Sequence, residues 1–117
     1  MNCYDGANNL ARELSESEEC REYKRLKEIV MEDEVNRALL KEYKALQSRL
    51  QLSAMAGSAG AQEDMQRFSQ LSSLLYTQKD ISAYLMSEMK LQQLVADIIK
   101  LITDASGLQI SLPGQET

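Results

Sequence analysis

The stretch that decides the fold is ISAYLMSEMKLQQLVADIIKLI, residues 81–102. Seven of its residues recur at alternating steps of three and four, which places them on one side of a helix. They are Ile81, Tyr84, Glu88, Leu91, Val95, Ile98 and Ile102. A helix with an apolar side of this length has to be covered by other helices. We therefore predict that these seven residues form an interaction seam.

Glu88 is the one polar residue of the seam. An unpaired buried carboxylate costs several kcal/mol, so it must be paired, hydrogen-bonded, protonated or at the edge of the seam. One interpretation is that its stem packs while its head reaches water. The other is that it selects the register or the partner, as polar seam residues do in coiled coils.

Composition favours an all-α protein. The chain has 117 residues, 44% of them hydrophobic, with one proline and no tryptophan. Helices tolerate such a composition, whereas a sheet protein would need turn residues at intervals of about ten. The length predicts a single helical domain, assigned to residues 1–107. Residues 108–117 form a C-terminal tail that is either disordered or extended on a partner.

Caps and apolar spacing predict about five helices, arranged as an antiparallel hairpin or bundle with a long C-terminal helix. The first is expected from about Tyr4 to Leu14. The expected capping residues are Ser15 or Ser17 for the second helix, Asp33 for the third, Asp80 for the fifth and Gly107 at the C-terminal end. The GSAG segment, residues 57–60, is short, so the third and fourth helices should run antiparallel.

Each of the first four helices is predicted to present one apolar face. The expected face residues are Tyr4, Ala7, Leu10, Ala11 and Leu14; Cys20, Tyr23, Leu26 and Val30; Val35, Leu39, Tyr43, Leu46 and Leu50; and Met65, Phe68, Leu71, Ser72 and Leu75.

The residues that catalysis most often needs are missing. Histidine is absent, which excludes Ser–His and Cys–His catalysis and histidine metal sites. GSAG lacks the preceding strand and the following lysine of a phosphate-binding loop. We predict that the protein is not an enzyme and has no cofactor.

The two cysteines, Cys3 and Cys20, do not have a metal-ligand spacing. The first interpretation is two free thiols, with Cys20 acting as a small hydrophobic residue. The alternative is that several chains each contribute a thiolate to an iron–sulfur cluster, which would make the oligomer a redox or iron–sulfur sensor.

The net charge of −5 does not suggest a nucleic-acid binder, which would normally show a basic face. One dense basic run contains Arg21, Lys24, Arg25 and Lys27, interleaved with Glu18, Glu19, Glu22 and Glu28. This pattern favours a solvated helix surface with paired charges. RNA association through the basic run is kept as a further hypothesis.

No secretory signal and no membrane-spanning segment can be identified in the sequence. We expect a cytoplasmic protein without a membrane partner.

Four segments together resemble the YlbF/YmcA family of small bacterial helical proteins: ANNLARELSESEECREYK, MEDEV, EYKALQSRLQLSAMAG and DISAYLMSEMKLQQLVADIIKLI. The resemblance extends to about Ala105 and lies in the order and spacing of these segments. In such proteins the final helix commonly carries a small residue followed by Glu, which Ser87 and Glu88 match.

The resemblance implies an all-α protein that self-associates and works through protein partners. Better-known members are linked to competence, sporulation and biofilm development, and to a complex that influences ribonuclease Y-dependent RNA processing. Those members hold iron–sulfur clusters with cysteines that include their C-terminal tails. Here the tail GLQISLPGQET has no cysteine, and Cys20 stands where a bulkier apolar residue is usual. The chain looks closer to the YheA-like branch.

The first hypothesis is therefore a self-associating regulatory adaptor, a homodimer or larger assembly with protein partners. The second is a redox or iron–sulfur sensor that uses Cys3 and Cys20. The third is an RNA-associated cofactor of a ribonuclease complex.

Overall fold

A computed structural model describes residues 2–56 and 62–109, and every regular element in them is a helix. The five helices are α1 (Cys3–Glu16), α2 (Glu18–Glu32), α3 (Glu34–Ala56), α4 (Gln62–Tyr76) and α5 (Lys79–Ser106). The longest is α5, with 28 residues. The prediction of an all-α chain with five helices and a long last helix is confirmed. The GSAG segment and the tail beyond Gln109 lie outside the described residues.

Short polar side chains separate the first three helices. Ser17 stands alone between α1 and α2; its Oγ donates to the Leu14 carbonyl at 2.6 Å and accepts from the Cys20 amide at 3.2 Å. Asp33 stands between α2 and α3, and its Oδ1 accepts from the Val35 amide at 2.9 Å. Both side chains satisfy amides that lack a partner within their own helix. The cap predicted at Asp33 is confirmed, and Ser17 is the cap of α2.

The two ends of α5 differ in how well they were predicted. The carbonyl of Gln78 already accepts from the amide of Ser82 at 2.9 Å, so Asp80 lies inside the first turn. The predicted cap at Asp80 is therefore wrong, although its charge still suits the positive end of the helix dipole. At the other end Gly107 has a φ of 75° and donates to the Thr103 carbonyl at 3.1 Å. This left-handed residue ends α5 as predicted.

The contacts within the chain divide it into two compact units. The hairpin unit consists of Lys24–Leu85 and contains the later part of α2, all of α3 and α4, and the first turns of α5. The terminal unit consists of the residues up to Tyr23 and from Met86 onward, and contains α1, the start of α2 and the rest of α5. The single domain over residues 1–107 stays a prediction.

In the hairpin unit α3 and α4 run antiparallel. Arg49 of α3 binds Asp64 at 3.2 Å, and Glu42, two turns earlier, binds Arg67 at 2.8 Å. A later residue of α3 thus contacts an earlier residue of α4, and an earlier residue of α3 contacts a later one of α4. This confirms the predicted antiparallel arrangement. The core of this unit contains Leu26, Val30, Leu40, Tyr43, Leu46, Leu71, Leu75, Ile81, Tyr84 and Leu85.

Three residues of the face expected on the first helix are exposed: Tyr4, Ala7 and Ala11. In the hairpin unit, two residues that were expected on apolar faces are also exposed: Val35 by 67% and Met65 by 61%. Both lie in the first turn of their helix, beyond the stretch where the core residues of that helix lie. In α3 the buried positions Leu40, Tyr43 and Leu46 follow one another in steps of three. Steps of three and steps of four turn an apolar face in opposite directions around a helix with 3.6 residues per turn. The predicted face, which approached Tyr43 in steps of four, therefore missed Leu40.

The ion pair between Glu42 and Arg67 predicts a pH dependence of stability. Hydrogen bonds from Arg67 lower the pKa of Glu42, more than its partial desolvation raises it, and the charges of Arg67 and Arg49 act in the same direction. A lowered pKa in the folded protein stabilises it above the ordinary pKa of Glu, and this stabilisation is lost as the pH falls through the lowered value. The melting temperature of the native protein should therefore fall more steeply from about pH 5 downward than that of Glu42→Gln.

Thermal unfolding at low salt measures this difference. The pair is partly exposed to solvent, so the effect should be small and should shrink in molar salt. Glu32→Gln, which removes an exposed carboxylate at the end of α2, is the matched control and should follow the native curve. Parallel curves for Glu42→Gln and the native protein would contradict the prediction.

Candidate interaction surface

The structure divides the predicted interaction seam between the two units. Ile81 and Tyr84 are buried in the core of the hairpin unit. The other five residues belong to the terminal unit: Glu88, Leu91, Val95 and Ile98 are half-buried, and Ile102 is 56% exposed. Coverage by the chain itself therefore decreases along the seam. Whether the seam is an interaction site stays a prediction.

The second half of α5 carries a wider apolar band than the seam alone. At about 100° per residue, two further leucines fall beside the seam residues on the same side of the helix. We call this band the α5 stripe; it consists of Leu91, Leu94, Val95, Ile98, Leu101 and Ile102. Its first four residues are half-buried, whereas Leu101 is 70% exposed. Counting strict steps of three and four missed Leu94 and Leu101, which a helical wheel would have found.

The opposite side of α5 is polar and internally paired. The side-chain amide of Gln93 donates to Asp97 at 2.8 Å, and Lys100 binds Asp104 at 3.0 Å. Both pairs have the i,i+4 spacing that stabilises an exposed helix surface. This side is suited to water, so the stripe is the side of α5 that gains from being covered.

Helix α1 also shows an apolar face with little cover. We call it the α1 face; it consists of Cys3, Ala7, Leu10 and Leu14, which repeat at steps of four, three and four. Leu10 and Leu14 are half-buried, Tyr4 beside them is 82% exposed, and no residue of α1 is buried. A helix of 14 residues is marginal in water unless it is packed against a neighbour.

Glu88 is half-buried, and Ser87 before it is buried. Glu88 is not an isolated charge, because it takes part in an interaction within the chain. It therefore lies at the edge of the seam with a partner, which is one of the placements that an apolar environment permits.

The two cysteines have different environments. Cys3 is exposed, and Cys20 is a buried free thiol with 8% of its surface accessible, as expected for a small hydrophobic residue. A cluster closed by several chains would need thiolates that other chains can reach, and Cys20 is covered by its own chain. Within residues 2–56 and 62–109, no three acidic or cysteine side chains gather in a way that could hold a metal ion.

The basic run on α2 is exposed, and several of its residues have partners. Arg25 and Lys27 each take part in an interaction within the chain, and so does Glu22, which lies between Arg21 and Lys24 in the sequence. The run is exposed to solvent, as predicted, and the pairing of its charges with one another stays a prediction. Along the part of the chain that the structure describes, no helix has both the length and the apolar character to cross a membrane.

Residues 3–105 match the family model described as control of competence regulator ComK, YlbF/YmcA. The chain belongs to the YlbF/YmcA family. A UPF0342 protein from Caldicellulosiruptor saccharolyticus is 34% identical over 113 residues, 97% of this chain and 94% of that protein. A UPF0342 protein from Halothermothrix orenii is 31% identical over 116 residues, 99% and 97% of the two chains. The predicted family is confirmed, and these relatives are consistent with the YheA-like branch.

Two solved structures share the fold of this family member. A protein of unknown function (DUF964) from Bacillus stearothermophilus superposes with a TM-score of 0.74 and 18% identity, over 89% of this chain and 91% of that one. Bacillus subtilis RicA, crystallised in complex with RicF, superposes with a TM-score of 0.59 and 15% identity, over 89% and 92%. At these identities the likeness concerns the helical fold.

Proposed function

We propose that this protein is a non-enzymatic regulatory adaptor that associates with itself and acts through protein–protein contacts. The observation that carries the proposal is the exposed end of the α5 stripe. Leu101 and Ile102 are adjacent, more than half exposed and continuous with four half-buried aliphatic residues. Removing apolar surface from water contributes about 25 cal/mol per Å² of favourable free energy. A partner that covers this end therefore stabilises the complex.

The family supports an adaptor role. The matching family model describes a regulator of competence, and RicA, which shares the fold, is seen in a complex with another protein. We extend both properties to this chain as a proposal: it regulates by binding proteins, in processes of the kind that the family serves, such as competence, sporulation, biofilm formation or RNA processing.

The chemistry of the chain supports a role without catalysis. It has no histidine, and Asp97 and Asp104 of α5 are engaged by neighbouring polar side chains on an exposed helix face. Carboxylates that catalyse general acid–base steps are usually found in a cleft that changes their pKa. The pKa of Glu42 is lowered, and an exposed ion pair with Arg67 rather than a cleft accounts for this shift.

Sedimentation analysis of the purified protein from nanomolar to high micromolar concentration tests self-association. We expect a mass of at least twice the 13.2 kDa of one chain at the upper end, with a reversible decrease on dilution. A mass of one chain at every concentration would overturn the self-association part of the proposal. The adaptor role would then need a different protein to cover the α5 stripe.

A further inference from the structure

We propose that the C-terminal tail folds back and packs Ile110 and Leu112 on the exposed end of the α5 stripe of its own chain. The tail then competes with the partner that the proposed function places on this end of α5. This inference rests on that proposed function and adds a regulatory contact to it. Both tail residues lie beyond Gln109, outside the described part of the chain.

The surface that the tail would cover is the last part of the stripe. The first four residues of the stripe are half-buried, so contacts within the chain already cover that part. Leu101 is 70% exposed, Ile102 is 56% exposed, and Leu108, just beyond α5, is 65% exposed. These three aliphatic side chains therefore leave apolar surface in water at the end of α5, where the tail begins.

The backbone at the end of α5 changes the direction of the chain. Gly107 has a φ of 75°, and its amide donates to the Thr103 carbonyl at 3.1 Å. The amide of Leu108 donates to the Ser106 Oγ at 3.0 Å instead of continuing the helix. A left-handed residue at this position ends a helix and turns the chain away from its axis. The residues that follow therefore start beside the last turn of α5.

The sequence of the tail has the pattern of an extended segment with one covered side. In LQISLP, residues 108–113, apolar and polar residues alternate over the first five positions. Alternation with a period of two places Leu108, Ile110 and Leu112 on the same side of an extended chain. Residues 105–115 contain no charged side chain, so packing this segment on α5 removes no tail charge from water.

The length of the tail is sufficient for this contact. An extended chain advances by about 3.3 Å per residue, whereas a helix rises by about 1.5 Å per residue. Ile110 follows Gly107 by three residues and reaches about 10 Å back, and Ile102 lies about 7.5 Å back along α5. Leu112 reaches about 16 Å back, and Ile98 lies about 14 Å back. Each tail residue therefore reaches the level of one isoleucine of the stripe.

The covalent connection makes a weak contact sufficient for regulation. A short connection gives the tail an effective concentration in the millimolar range near α5. A contact with a millimolar intrinsic dissociation constant is then formed in about half of the chains. The apparent dissociation constant of a partner equals the intrinsic one divided by the fraction of chains whose stripe is free. Two chains that must both release their tails would therefore associate about fourfold more weakly.

Bridging of two thiols within one chain tests the contact directly. The full chain carries Cys3→Ser, Ile102→Cys and Ile110→Cys, keeps the buried Cys20, and is treated with dibromobimane at nanomolar concentration. We expect a bridge within the chain, detected from its intact mass. The matched control has Lys100→Cys in place of Ile102→Cys, at nearly the same level of α5 but on its polar side. The control should give several times less bridged product.

Sedimentation analysis of tail variants tests the competition. In Ile110→Ser, Leu112→Ser the tail loses its apolar residues, so the dissociation constant of self-association should fall by about two- to tenfold. The matched control, Gln109→Ser, Gln115→Ser, changes two polar tail residues and should keep the native dissociation constant. Circular dichroism should show the native helix content in all variants.

The outcomes separate this inference from the proposed function. Equal bridging in both cysteine pairs, or a bridge that forms only between two chains, overturns the fold-back and leaves self-association standing. An unchanged or raised dissociation constant for Ile110→Ser, Leu112→Ser overturns the competition, and a raised value means that the tail belongs to the assembly. A mass of one chain at every concentration overturns the competition together with the proposed self-association. The bridge, measured on single chains, still decides whether the tail contacts α5.

Discussion

Replacement of Leu75 by alanine is expected to lower the free energy of unfolding by about 2–5 kcal/mol. Leu75 is 0% exposed and lies in the core of the hairpin unit, together with Leu71 of the same helix and Ile81 of α5. The substitution removes buried methyl groups and leaves a cavity that the surrounding helices can only partly fill. Both effects destabilise the folded state. Urea unfolding followed by circular dichroism measures the change.

The neighbouring leucine provides the matched control. Leu74 belongs to the same helix, but 48% of it is exposed, so Leu74→Ala should change the free energy of unfolding much less. Comparing the two variants removes the influence of helix propensity, since both change Leu to Ala within α4. Equal changes for the two variants would mean that Leu75 does not lie in a packed core. The protein concentration must be kept constant, because self-association contributes to apparent stability.

The local features of the fold could be predicted from the sequence because they depend on neighbouring residues. Ser17 and Asp33 separate helices through hydrogen bonds that reach only two or three residues along the chain. Gly107 ends α5 because its own φ is positive. The wrong prediction of a cap at Asp80 also concerns neighbouring residues, because the first carbonyl of the helix belongs to Gln78, two residues earlier.

The identity of the buried residues was predicted less well, since burial depends on residues far away in the sequence. Leu39 and Leu40 are adjacent leucines, and which of them is fully buried depends on the side chains that cover α3. The seam of α5 has an even pattern from Ile81 to Ile102, yet its start is buried and its end is exposed. No periodic pattern within α5 can indicate where its cover stops, because the cover belongs to other elements or to another molecule.

The double variant Leu101→Asp, Ile102→Asp is expected to weaken self-association by at least about a hundredfold. Both side chains are more than half exposed in the single chain, by 70% and 56%, so aspartate is tolerated there in a monomer. In an assembly that covers the α5 stripe, the two carboxylates would be removed from water without partners. Burying unpaired charges costs several kcal/mol, and every 1.4 kcal/mol corresponds to a tenfold change in affinity. The dissociation constant from sedimentation measures the effect.

A second double variant on the polar side of the same helix controls for added charge. Gln92→Asp, Gln93→Asp adds the same two negative charges at adjacent, exposed positions of α5, and should leave the dissociation constant close to that of the native protein. Circular dichroism should show that both variants keep their helices. If the stripe variant retains the native mass at all concentrations, the assembly does not use this end of α5. If both variants dissociate equally, general repulsion between negatively charged chains explains the loss, and the α5 stripe has no special part in it.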